Sequence, residues 1–193
     1  MRMDMSRRSF LKAAVVAAGS LAASPARVAA ASSEAPQLGR VASSWIGLYA
    51  EPSFRSERRA QVKRDSLVSL LEAVEPKDGP RHNPVWYRLP DGYAHSGNLQ
   101  LVQWAPQPPA VFIPPPGRLV EVAVPFARAF ATPDTRGEPL YRLYFESTHW
   151  ATQAQHGKDG RVWYRLVDDL LHVQYFARAE HLRLIPPEEI RPI

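Results

Sequence analysis

The chain has 193 residues, with 24 Lys or Arg against 19 Asp or Glu, and no cysteine. The missing thiols exclude disulfide staples, cysteine nucleophiles and thiolate metal sites, so stability must come from packed apolar cores. Residues 1–31 hold Arg2, Arg7, Arg8, Lys12 and Arg27 against Asp4 alone, which leaves 19 basic and 18 acidic residues in 32–193; a nucleic-acid footprint needs a concentrated basic face and is excluded.

The N-terminus, Ser6-Arg7-Arg8-Ser9-Phe10-Leu11-Lys12, matches the twin-arginine export consensus through Arg7, Arg8, Phe10 and Lys12. The apolar stretch that follows, Ala13 to Ala23, falls short of the roughly 20 residues a membrane span needs. Ala29-Ala30-Ala31 supplies small residues for signal peptidase, and Arg27 just before them disfavours the general secretory route. Residues 1–31 therefore read as a twin-arginine signal peptide. The expected partner during export is the twin-arginine translocase. The expected location is extracytoplasmic, secreted or wall-associated, with no transmembrane anchor after cleavage.

From Gly39 to Tyr49 β-branched and aromatic residues predict strands. Arg55, Arg58, Arg59, Lys63 and Arg64 follow, interspersed with Glu57 and Asp65. This basic stretch reads as a solvated loop, with anionic polymers or phosphate headgroups as its functional option. Leu67, Leu70, Leu71 and Val74 fall at helical spacing. The repeat described below asks for a strand in 65–75, and strand is the expectation, because tertiary context overrides local propensity. Val85 to Leu89 is strand-like and Pro90-Asp91-Gly92 is a turn. Ala105 to Gly117 is proline-rich and predicts a semi-rigid spacer. Arg118 to Phe130 again predicts strands, His156 to Gly160 a turn, Val162 to Leu166 a strand, and the Pro-rich end a second linker.

Val85-Trp86-Tyr87-Arg88-Leu89 recurs as Val162-Trp163-Tyr164-Arg165-Leu166 after 77 positions, and Gly39-Arg40-Val41 is echoed by Gly117-Arg118-Leu119 after 78. Leu48-Tyr49-Ala50-Glu51-Pro52 has a looser echo in Ala129-Phe130-Ala131-Thr132-Pro133. Three landmarks in one order argue for a duplicated unit. The units run over 38–103 and 118–186, joined by a linker at 104–117 and followed by a linker tail at 187–193.

Asn83-Pro84-Val85-Trp86-Tyr87 with Asp91 to Gly97 resembles the Trp strand and following turn of bacterial SH3-like (SH3b) domains. With Tyr141 to Tyr144, Ser147 to Trp150, Trp163 to Arg165 and His181 to Glu189, the chain resembles the non-catalytic N-terminal region of exported YkuD-type L,D-transpeptidases. The resemblance implies an all-β fold of two tandem SH3-like barrels at the cell wall. It implies no activity, because that family's catalytic cysteine lies in a following domain with no counterpart here. Two roles stay open: a non-catalytic module that binds or spaces peptidoglycan, and a truncated or frame-shifted transpeptidase fragment.

Candidate ligand-binding residues are Trp86 with Arg88, Trp163 with Arg165, and the group Tyr144, His149 and Trp150 with Tyr141 and Tyr175. An exposed Trp beside an Arg could stack on a sugar or peptide and pair with a carboxylate; the competing reading packs each Trp beneath its own loop. The tyrosine group suits an extended wall peptide in an aromatic groove, and competes with core filling. The six histidines lack zinc-ligand spacing, and no nucleophile elbow or phosphate loop occurs. No catalytic residue, metal or cofactor is expected.

Overall fold

The computed structural model describes residues 37–190, apart from 78 and 169. The export motif at Arg7, Arg8, Phe10 and Lys12 lies outside them. Within them the chain is all-β, with fifteen strands and three short 3₁₀ turns. No described helix is long and apolar enough to cross a membrane.

The first half contains β1 (Gln37–Val41), β2 (Trp45–Tyr49), β3 (Arg58–Lys63), β4 (Leu67–Leu70), β5 (Glu72–Val74), β6 (Trp86–Leu89), β7 (Gly92–His95), a 3₁₀ turn (Ser96–Asn98) and β8 (Leu99–Val102). These form two antiparallel sheets, ordered β4-β1-β8 and β3-β2-β7-β6-β5. Alternation sets the core: Ile46 and Leu48 point inward from β2 to meet Val41, Leu70, Leu89 and Ala94. The β6–β7 hairpin turns at Gly92, where φ is +148° and a Cβ would lie 2.5 Å from the Tyr49 carbonyl oxygen. Only glycine fits there.

Residues 67–74 are strand, as the repeat requires. Their helical spacing is incidental, since Leu70 alone enters the core while Leu67 and Leu71 face solvent. The backbone decides the matter: β4 pairs with β1, and β5 pairs with β6.

The second half contains β9 (Arg118–Val122), β10 (Phe126–Ala129), β11 (Tyr141–Tyr144), β12 (Thr148–His156), β13 (Val162–Asp168), β14 (Val173–Arg178), a 3₁₀ turn (Ala179–His181), β15 (Leu182–Leu184) and a final 3₁₀ turn (Pro187–Glu189). Its sheets are β14-β13-β12-β9-β15 and β10-β11. The apolar cluster here is larger, built around Val120, Val122, Val124, Tyr164, Leu166 and Leu182.

Both proline-rich segments make tertiary contacts. The 104–117 segment is strapped to the second half. Ile113 is buried in that core, the Ala110 N–H donates to the Tyr164 phenol oxygen at 2.9 Å, and the Gln107 N–H donates to the Glu180 carbonyl at 2.8 Å. At the start of the tail, Pro187–Glu189 forms a turn, and Glu189 pairs with Arg183 at 2.9 Å.

No strand pairs across the halves. They meet instead through polar groups. Asp65 accepts from Arg40 at 2.7 Å within its own half and from Arg142 at 2.9 Å across the junction. The Arg40 guanidinium lies 4.1 Å from the Tyr144 ring centre, and the Gln100 amide donates to the Phe145 carbonyl at 3.3 Å.

Candidate functional site

Trp86 and Trp163 are both fully buried, with 0% exposure. They therefore offer no ring face to a ligand, which corrects the exposed reading of these residues. Each lies on the sheet face opposite its main core and is roofed by a loop. Tyr49, Phe54 and His95 surround Trp86 with ring centres 5.7, 4.7 and 5.3 Å away. Phe130 meets Trp163 edge-on at 5.6 Å, while Arg178 stacks on it at 5.3 Å. Arg88 is ion-paired across the sheet with Glu72 at 3.0 Å, and Arg165 donates to the Thr152 hydroxyl at 3.1 Å.

The buried tryptophans hold up a groove that occurs twice. In β2, Ile46 and Leu48 enter the core, so Trp45, Gly47 and Tyr49 face the other way. With Phe54, His95, Ser43 and Asn98 they line a cavity of about 270 Å³. In β10, Ala127 and Ala129 enter the core, while Phe126 and Arg128 lie on the other side with Phe130, which follows the strand and is itself buried beside Trp163. With Thr135, Arg178, His181, Trp104 and Leu67 they line a cavity of about 430 Å³. The equivalence is positional. His95 sits directly across from Trp86, as Arg178 does from Trp163. Asn98 and His181 each end the following 3₁₀ turn. The floor of each groove carries aromatic rings, and Trp45 and Trp104 are exposed at 46% and 61%.

Sequence reading passed over these groove residues. The available signal was aromatic side chains at every fourth position on the non-core face, Trp45 with Tyr49 and Phe126 with Phe130.

The tyrosine group is partly assembled. Tyr141, Tyr144, His149 and Tyr175 line a third cavity of about 580 Å³ with Ser147, Asp168 and Leu171. Trp150 is not among them. It follows His149 in β12 and so faces the other side of the strand, where its indole covers Gly117.

Ser147 Oγ and His149 Nε2 lie 3.0 Å apart. Ser147 Oγ also lies 2.6 Å from the Tyr144 carbonyl oxygen, and His149 Nδ1 lies 3.0 Å from the Tyr175 phenol oxygen; with the serine proton on the carbonyl, the Nε2–H donates to Ser147 and Nδ1 accepts from Tyr175. In this arrangement the histidine cannot act as base toward the serine. The set is a proton-satisfied chain suited to holding a wall of the cavity. Among the described residues no three His, Asp or Glu side chains converge as metal ligands.

Burial lowers the pKa of His149, partly offset by Asp168, and burial likewise lowers that of His181. Each binds its proton more tightly in the unfolded chain, whose histidines titrate near about 6.5. Stability from these sites is thus fully present above that pH and is lost as pH falls below it. Thermal melts between pH 8 and pH 5 should show this decline, and His149→Gln should flatten it, leaving the His181 share. An unchanged slope in His149→Gln would contradict the assignment.

No family model matches the chain, and no curated protein matches it. Among solved structures it is similar to NlpC2 from Trichomonas vaginalis, at 12% identity and a TM-score of 0.27, over 81% of this chain and 51% of that one. It is also similar to NlpC1 from the same organism, at 14% identity and a TM-score of 0.27, over 80% of this chain and 48% of that one. The chain spans about half the length of each.

Proposed function

We propose that this chain is an exported, non-catalytic module of two SH3-like barrels that recognises peptidoglycan at the cell wall through its paired grooves. The observation behind this reading is the duplicated groove, with an exposed tryptophan beside each aromatic floor. An aromatic floor on a rigid sheet suits extended peptides and sugar rings, whose apolar faces pack against aromatic rings. Two such grooves on one chain raise avidity for a repeating polymer without raising the affinity of either. The twin-arginine motif supports an extracytoplasmic site of action, and the resemblance to transpeptidase N-terminal regions supports a wall polymer as ligand. Non-catalytic action is in keeping with the absence of cysteine from the sequence, which excludes a thiol nucleophile within it.

Co-sedimentation with purified peptidoglycan sacculi tests this. The parent chain should pellet, and the Trp45→Ala, Trp104→Ala double variant should stay in the supernatant while keeping the parent melting temperature. Both rings are exposed, so their removal leaves no core cavity. A parent chain that fails to pellet at any salt concentration removes the wall-binding reading.

A further inference from the structure

The first groove is flanked by the β2–β3 hairpin, which with the residue after it concentrates five cations between positions 55 and 64. Arg40, Arg88, Arg136, Arg142, Arg161, Arg178 and Arg183 each have a carboxylate partner. Arg55, Arg58, Arg59, Lys63 and Arg64 are all exposed, and none takes part in an ion pair among the described residues. The sequence suggests Asp65 as their counter-charge. Its carboxylate is instead turned inward and shared by Arg40 and Arg142. Glu51 and Glu57 are the remaining carboxylates of the segment, too few to neutralise it.

Two of these cations flank the groove. Tyr49 stands opposite Arg58 and Trp45 opposite Lys63, and a bulge that leaves Arg59 unpaired breaks the alternation of β3 between them. Cross-strand pairing therefore puts both the Arg58 and Lys63 side chains on the groove side of the sheet, with the Arg58 guanidinium 5.5 Å from the centre of the Trp45 ring. The second groove is lined by one cation outside any ion pair among the described residues, Arg128, beside Arg161 and Arg178, which are neutralised by Glu180 and Asp159. The two copies thus share an aromatic floor and differ in charge.

A row of basic residues on an edge strand also discourages sheet-to-sheet association. That role asks only for charge somewhere along β3. It does not ask for a guanidinium set over an exposed tryptophan beside a cavity.

We infer that the first groove recognises carboxylate-bearing segments of an extended ligand, with Arg58 and Lys63 pairing the carboxylates while Trp45 and Tyr49 pack against the chain between them. This rests on the wall-binding reading and narrows it to the acidic stem peptides, in preference to phosphate-bearing polymers or neutral glycan. A carboxylate held beside an aromatic ring by an arginine gains from both the ion pair and the partial exclusion of water.

The experiment uses the full chain and three preparations of sacculi: native, with carboxylates amidated by carbodiimide and glycinamide, and stripped of phosphate polymers by acid. Binding should survive phosphate stripping and weaken roughly fivefold or more on amidated sacculi, as loss of a complementary charged rim does. Arg58→Gln with Lys63→Gln should weaken binding to native sacculi by a similar factor and make binding indifferent to amidation. Circular dichroism of that variant should match the parent, since both side chains are exposed. Equal binding to native and amidated sacculi overturns the carboxylate assignment and leaves wall binding standing. Binding lost on phosphate stripping assigns the cations to phosphate and overturns it too. Absence of binding to every preparation overturns both readings.

Discussion

Replacing Asp65 by asparagine is expected to lower the folding free energy by about 3–5 kcal/mol, because it leaves a buried guanidinium without its counter-ion. Arg40 is only 6% exposed. Its donors go to the Asp65 carboxylate at 2.7 Å and to the Gln100 amide oxygen at 2.7 and 3.1 Å, and a tyrosine ring closes over the plane. No route to water remains once the carboxylate is neutralised. Asparagine is the informative choice because Asp65 has φ of +63°, a left-handed backbone that asparagine accepts nearly as well. Asp65→Ala should cost about 1 kcal/mol more through strain at that backbone. Urea titration at constant m-value measures both. A loss under about 1 kcal/mol for Asp65→Asn would mean that Arg40 finds water, and the account of the junction would fail. The same substitution releases Arg142, so the junction between the halves should loosen with it.

The second large effect concerns the paired tryptophans. Trp163→Ala should cost about 3–5 kcal/mol, as large-to-small changes at fully buried rings do. The comparison with phenylalanine says more. The Trp163 indole N–H donates to Asp159 at 3.3 Å, whereas the Trp86 indole nitrogen is buried with no partner among the described residues. Trp163→Phe therefore loses volume and a hydrogen bond, while Trp86→Phe loses volume and an unsatisfied donor. The first should be more destabilising by about 1–3 kcal/mol, the cost of a stranded polar group. Equal losses would show that Trp86 has an acceptor after all. Sedimentation of the folded phenylalanine variants on sacculi should match the parent, because neither ring lines a groove.

Much of the architecture was legible in the residues. The all-β class followed from β-branched and aromatic runs broken by turns, and those patterns act over a few residues. The repeat placed a strand at 67–74 against the local helical spacing. That was correct because pairing with β1 and β6 supplies backbone partners for the whole segment. The site was less legible. Trp86 and Trp163 stood out as the most memorable repeated residues, and both are packing. The groove residues Trp45, Tyr49, Phe126 and Phe130 show the alternation of a two-faced strand, but alternation does not say which face another loop will cover.

The sequence by itself determined the exclusion of thiol chemistry and the class of the fold. Each of these rests on composition or on patterns that act over a few residues. Tertiary structure alone decided that Asp65 turns inward to Arg40 and leaves the β2–β3 cations unneutralised. It also decided that the proline-rich segment lies on the second core, and that equivalent grooves form beside the two buried indoles. Those outcomes depend on residues brought together from far apart in the chain. Which partner wins there is settled by packing and the cost of burying charge, and no local pattern records it.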